Sequence, residues 1–176
     1  MLFHAGFDVK LYNVAPDHAL IARLEQAQIA IKRVLAPDAR RVLRFIETSA
    51  ETHWPQESQE SWIGECAAAL ANHPPTCFLA VQQRTIIGFA CYNATAKGYF
   101  GPTGVLREAQ GHGVGKALLL TSLLAMWDEG YGYAIIGWPV RSAMGFYAKT
   151  VQAQVIEDSS PGIYRRLVDV EHVPAK

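Results

Sequence analysis

Between residues 98 and 129 the chain reads Gly-Tyr-Phe-Gly-Pro-Thr-Gly-Val-Leu, then a loop with glycines at 111, 113 and 115, then Lys116 and an apolar run beginning Ala117-Leu118-Leu119-Leu120. This stretch constrains the fold more than any other. The apolar run predicts a helix from about Gly113 to Glu129, stopped by Gly130, and the β-rich stretch before it predicts a strand over 98–106. A strand that passes through a glycine loop into a helix gathers backbone N–H groups at one point, and the helix adds roughly half a positive charge there. Glycines let an anion approach that backbone without meeting Cβ atoms. The stretch is therefore read as an anion site, with a tight packing turn as the structural alternative.

The elements around it follow from periodicity. "FDVKLYNV" (7–14) alternates and is read as a strand, with a short helix through "DHALIARLEQA" after it. "IAIKRVL" (29–35) alternates again, Pro37 and Asp38 open a helix, and Pro55 opens another that ends near His73-Pro74-Pro75. Strands follow at 77–83, with a tight turn at Arg84, and at 85–93. After the glycine loop and its helix come a strand at 131–138, a helix at 141–149, and "AQVIED" and "IYRRLV", read as a closing hairpin. This order implies an α/β sheet, antiparallel at its start, with a parallel crossover around the glycine loop.

Lys+Arg and Asp+Glu are equal at 16 each, so the chain lacks the basic footprint of a nucleic-acid binder. Cys66, Cys77 and Cys91 are odd in number and carry no Cys-x-x-Cys spacing, so neither a disulfide framework nor a metal site is expected, and buried thiols are. With no basic, apolar leader and no apolar run of membrane-spanning length, the reading is a cytoplasmic protein without a membrane partner. The 176 residues suit one domain, 1–176, in which 1–28 form an additional strand and helix.

Three phosphate-binding loops compete for the glycines. A Walker A loop would need glycine where Gln110 stands and a hydroxyl where Ala117 stands. A dinucleotide fingerprint spaces its glycines as G-x-G-x-x-G, whereas here Lys116 takes the last place. The third pattern, Gln/Arg-x-x-Gly-x-Gly/Ala between a strand and a helix, is matched by Gln110-Gly111-His112-Gly113-Val114-Gly115. In this motif and in its element order from about residue 29 onward, the chain resembles the GNAT superfamily of acyl-CoA-dependent N-acyltransferases.

That resemblance implies a GNAT fold: a mixed, mostly antiparallel sheet with a splayed central pair of strands, flanked by helices. It implies acetyl-CoA as co-substrate, bound at the pyrophosphate by Gln110, Gly111, His112, Gly113, Val114, Gly115 and Lys116. Along the pantetheine it implies backbone groups of Thr103, Gly104 and Val105, where Pro102 interrupts the ladder. The reaction implied is acetyl transfer to a primary amine by direct attack, with the Val105 N–H as oxyanion donor and Tyr147 as the acid for the departing thiolate. Val140 and Thr150-Val151-Gln152 depart from the family's usual flanks of that tyrosine. No carboxylate lies on the strands at 98–106 and 131–138, so the base stays open among Glu157, Asp158, Glu65 and a water. His53, Trp54 and Trp62 fall where the family often walls its acceptor pocket, and ordinary packing explains them equally well. The acceptor is open between a small molecule and a peptide, and relatives often form homodimers. The competing reading is a non-catalytic acyl-CoA sensor of the same fold.

Overall fold

The alternating segments form strands β1 (Phe7–Lys10), β2 (Ile29–Arg33), β3 (Cys77–Gln82), β4 (Thr85–Tyr92), β5 (Tyr99–Val105), β6 (Tyr133–Ile136) and β7 (Gln154–Val155). In a computed structural model that describes residues 5–54 and 59–168, they make one sheet in the order β2-β3-β4-β5-β6-β1-β7. Every pair is antiparallel except β5 with β6. Gln83 and Arg84 make the β3–β4 turn with φ of 46° and 68°, the left-handed pair that a two-residue hairpin requires.

Helices α1 (His18–Gln26), α2 (Ala39–His53), α3 (Gln59–Ala71), α4 (Val114–Asp128) and α5 (Met144–Val151) cover the sheet. Helix α4 is apolar around most of its circumference, and such a helix must be enclosed. It crosses β3, β4 and β5 on one face and is closed over by α1, burying Leu118, Leu119, Leu123 and Met126 with Leu20 and Leu24. On the other face α2 and α3 bring Val42, Ile46, Cys66 and Leu70 against Leu79, Phe89 and Cys91. Each large apolar side chain so enclosed contributes about 1.5–3 kcal/mol. All three cysteines are buried free thiols, as expected, with the Cys66 and Cys91 sulfurs 3.8 Å apart.

The C-terminal region differs from its sequence reading. No closing hairpin forms: β7 is two residues long and pairs with β1, and residues Gly162–Arg166 make a 3-10 turn. The edge left for β7 belongs to the four-residue β1, which has already taken the free side of β6. Tyr164 finds a better surface than a ladder, stacking on Trp138 with ring centroids 3.9 Å apart. The proline expected to open α3, Pro55, lies outside the described residues.

Candidate functional site

Proline cannot donate to a ladder, and the β4–β5 register breaks at Pro102. Ala90 pairs with Thr103 but Tyr92 pairs with Phe100, so β5 bulges by one residue at Gly101-Pro102. On its other side β5 pairs with β6 only at Tyr99–Ile135 and Phe100–Ile136. Beyond that point β5 continues to Val105 while β6 ends, which leaves a fork whose one wall is the edge of Thr103, Gly104 and Val105. Backbone groups alternate in direction along a strand. Leu106 N–H donates to Ile87 of β4 at 2.9 Å, so Leu106 and Gly104 face β4 and the Val105 N–H faces the fork. Gln110 closes the end of this edge, its Nε2 donating to the Val105 carbonyl at 3.0 Å.

The glycine loop follows at once. Gly111 and Gly113 hold φ of 80° and 90°, the left-handed region that favours glycine, and Gly113 is the N-cap of α4. A glycine cap brings no side-chain acceptor, and the first bond of the helix ladder is Ala117 N–H to the Gly113 carbonyl at 3.0 Å. The amides of Val114, Gly115 and Lys116 precede that bond, as an anion site requires. His112 is exposed beside them. Gly113 is also fixed by packing: a Cβ there would lie 2.7 Å from Leu20 Cδ1 and 3.0 Å from Arg23 Nη2 of α1. A side chain at Gly113 would collide with α1.

Lys116 does not stand unengaged beside the loop. Its Nζ donates to Asp17 Oδ2 at 2.8 Å, and Asp17 also caps α1 by accepting from Leu20 N–H at 2.9 Å. The lysine bond and the cap hold the Asp17 carboxyl below its ordinary value. The partners are ninety-nine residues apart, so no local pattern announces them.

Tyr147 lies at the root of the fork. Its ring packs edge-on against Phe100, the last β5 residue paired with β6, at 6.3 Å, and against Phe146 at 5.2 Å. Burial pushes its hydroxyl well above the usual tyrosine value near 10. Among the described residues its hydroxyl has no hydrogen-bond partner.

Tyr99 and Phe100 are successive strand residues, so their side chains take opposite faces. On the α3 face Tyr164 stands beside both Tyr99 and Glu65, and Thr95 stands beside Glu65. The Thr95 hydroxyl donates to Glu65 Oε1, and the Tyr164 hydroxyl lies against Gly137, where a Cβ would have no room. Burial raises the Glu65 carboxyl, and the Thr95 bond only partly offsets this. Glu157 and Asp158 are exposed in the turn after β7. On the same face as Glu65, Trp54 covers Gly104 so closely that a Cβ there would meet its ring at 2.7 Å. Trp62 and Phe89 pack on that ring at 5.4 and 5.5 Å. The side chain of His53 lies outside the described residues.

Comparison with known proteins agrees with this geometry. A model of the Acetyltransferase (GNAT) family matches residues 39–151. A GCN5-related N-acetyltransferase from Sphaerobacter thermophilus superposes with a TM-score of 0.59 at 19% identity, covering 86% of this chain and 48% of that one. One from Kribbella flavida gives 0.58 at 12% identity, covering 88% and 56%. The GCN5-related glucosamine N-acetyltransferase region of a fungal multi-domain GH3 β-N-acetylglucosaminidase gives 0.65 at 10% identity, covering 89% and 20%. The chain thus spans between a fifth and just over half of these proteins, and at such identities the likeness is one of fold. No curated protein matches the sequence.

Proposed function

The chain belongs to the GNAT family of acetyltransferases, and from that premise we propose that it transfers an acetyl group from acetyl-CoA to a primary amine. The observation that carries the proposal is the fork: β5 and β6 pair at only two positions and then part, directly before a helix whose first amides are uncapped. An extended pantetheine arm fits along Thr103, Gly104 and Val105 as a substitute strand. The diphosphate fits the amides of Gly111 through Lys116, with Gln110 bracing the end of β5 and His112 exposed at the rim. Lys116 adds its charge nearby while remaining tied to Asp17.

Within this reading the chain's own groups divide the work. The Val105 N–H donates to the thioester oxygen as negative charge grows on it during attack by the amine nitrogen. As the carbon–sulfur bond breaks, the Tyr147 hydroxyl gives its proton to the departing sulfur, and the proton that the nitrogen sheds in becoming an amide restores the hydroxyl through solvent. Burial holds this phenol above its ordinary value, so it stays protonated across the neutral range while being a weaker donor than a free phenol.

Calorimetric titration with acetyl-CoA tests the reading, with CoA, ATP and NADH as controls. Selective binding of the two CoA ligands is expected, followed by thiol release on adding an amine. Absence of acetyl-CoA binding by folded protein would refute it, and binding without turnover over a broad amine panel would turn the reading into that of a sensor. Among the described residues no helix is long and apolar enough to cross a membrane.

A further inference from the structure

Of the three candidate acids Glu65 alone is half-buried, and its surroundings are unusual for a carboxylate. Among the described residues it forms no ion pair; its hydrogen-bond partner is the Thr95 hydroxyl, and its other influential neighbour is Tyr164, whose hydroxyl its charge raises. Partial burial disfavours its charged form, and an arriving cation would restore it. The cluster draws on four places in the chain: Glu65 on α3, Thr95 in the β4–β5 loop and Tyr164 in the C-terminal turn beside Glu65, and Tyr99 on β5 beside Tyr164. Both phenols are raised by burial and hence neutral. Beside them a cavity of about 200 Å³ is lined by Tyr99, Ile135, Trp138, Ile156, Ile163 and Tyr164, among others. One negative charge, aromatic rings and an apolar recess suit an ammonium carried on an apolar group.

We propose that Glu65, with Tyr99 and Tyr164, receives the ammonium of the acceptor on the α3 face of the fork, and that the acceptor is a primary amine borne on an apolar or aromatic group with no carboxylate of its own. Among the described residues no basic side chain acts on Glu65, so an acceptor carboxylate facing it would go unbalanced there. In the acetyltransferase reading, on which this assignment rests for its chemistry, Glu65 also removes one ammonium proton. The N–H bond breaks, its electron pair stays on nitrogen for the attack, and the proton passes from the Glu65 oxygen to solvent. A carboxyl raised by burial is the better base for that transfer.

The test titrates 2-phenylethylamine and phenylalanine into the CoA-loaded protein and into Glu65→Gln, which keeps the size of the side chain and an acceptor for Thr95. Expected are binding of 2-phenylethylamine at least tenfold tighter than phenylalanine in the wild type, and at least a tenfold loss in Glu65→Gln with the Tm held. Affinity in the wild type should also fall as pH drops through the raised Glu65 value. No binding of 2-phenylethylamine, no preference over phenylalanine, or equal binding by the two proteins would each overturn the assignment. The preference is read on the wild type alone, so it stands even where the variant folds poorly. A parallel acetyl-CoA titration keeps the two readings apart: its failure strikes the coenzyme site, and failure of the amine titration strikes Glu65.

Discussion

If a phosphate sits at the start of α4, a negative charge placed there by mutation should strengthen the fold and weaken the ligand. Gly115 allows the experiment. It is the second residue of the helix, and a Cβ would meet only Val105 Cγ2, at an ordinary 3.7 Å. Gly115→Asp puts a carboxylate in the first turn, where the helix dipole favours it by about 0.3–1 kcal/mol. For a chain of this size that is a Tm rise of about 1–4 °C. Against a phosphate ~6 Å away the same carboxylate costs about 0.7 kcal/mol at the dielectric of water and about 2.8 kcal/mol at an effective value near 20. Acetyl-CoA should therefore bind roughly 3- to 100-fold more weakly, and the loss should shrink as salt is raised. Thermal unfolding and calorimetry at two ionic strengths measure both effects. A variant with unchanged or raised Tm that binds acetyl-CoA as the wild type does would show that no phosphate meets the α4 N-terminus.

Tyr147→Phe should lower kcat by about 10²-fold or more while leaving the Kd of acetyl-CoA unchanged, as expected for an acid that acts only in the reaction. Because burial raises this hydroxyl, the wild-type rate should show no alkaline fall from its loss below about pH 10, the ordinary tyrosine value. Gly104→Ala drives a methyl into the Trp54 ring and should cost about 1–3 kcal/mol, read as a Tm lower by roughly 2–12 °C. Asp17→Asn keeps the cap on α1 but removes the charge paired with Lys116, so it should lower Tm at pH 7. Since the folded carboxyl is held below its ordinary 3.8, its contribution is full above that value and is lost as pH falls through the folded value. The two proteins should thus melt alike in strong acid, and a gap persisting there would assign the difference to the cap.

What could be read from the sequence was what is local. Pro102 between two glycines located the β5 bulge, and Gly111 and Gly113 proved to hold the positive φ that only such residues adopt cheaply. Tyr147 was singled out by the family resemblance alone, and its ring lies against Phe100 at the strand pair. What stayed hidden concerns partners far away in the chain. Lys116 gave no sign of its bond to Asp17, which lies ninety-nine residues earlier. "IYRRLV" looked like a strand because alternation cannot reveal that β1 has taken the edge of β6 and that Trp138 offers Tyr164 a face. Glu65 could not be told from Glu157 and Asp158 because a single glutamate on a helix carries no sign of burial. Its cover comes from Thr95 and Tyr164, on two other segments.

The place of β1 also orders the assembly of the protein in time. Phe7 pairs with Ile136 and Val9 with Ala134, so the second wall of the fork is held by a strand made more than a hundred residues before its partner. At about 5–20 residues per second, a ribosome takes roughly 6–26 s to bridge that interval. During it α2, α3 and the β2–β5 meander have their neighbours at hand, while β1 has none. The fork can therefore be completed only once β6 has emerged to meet a ribbon that has waited for it.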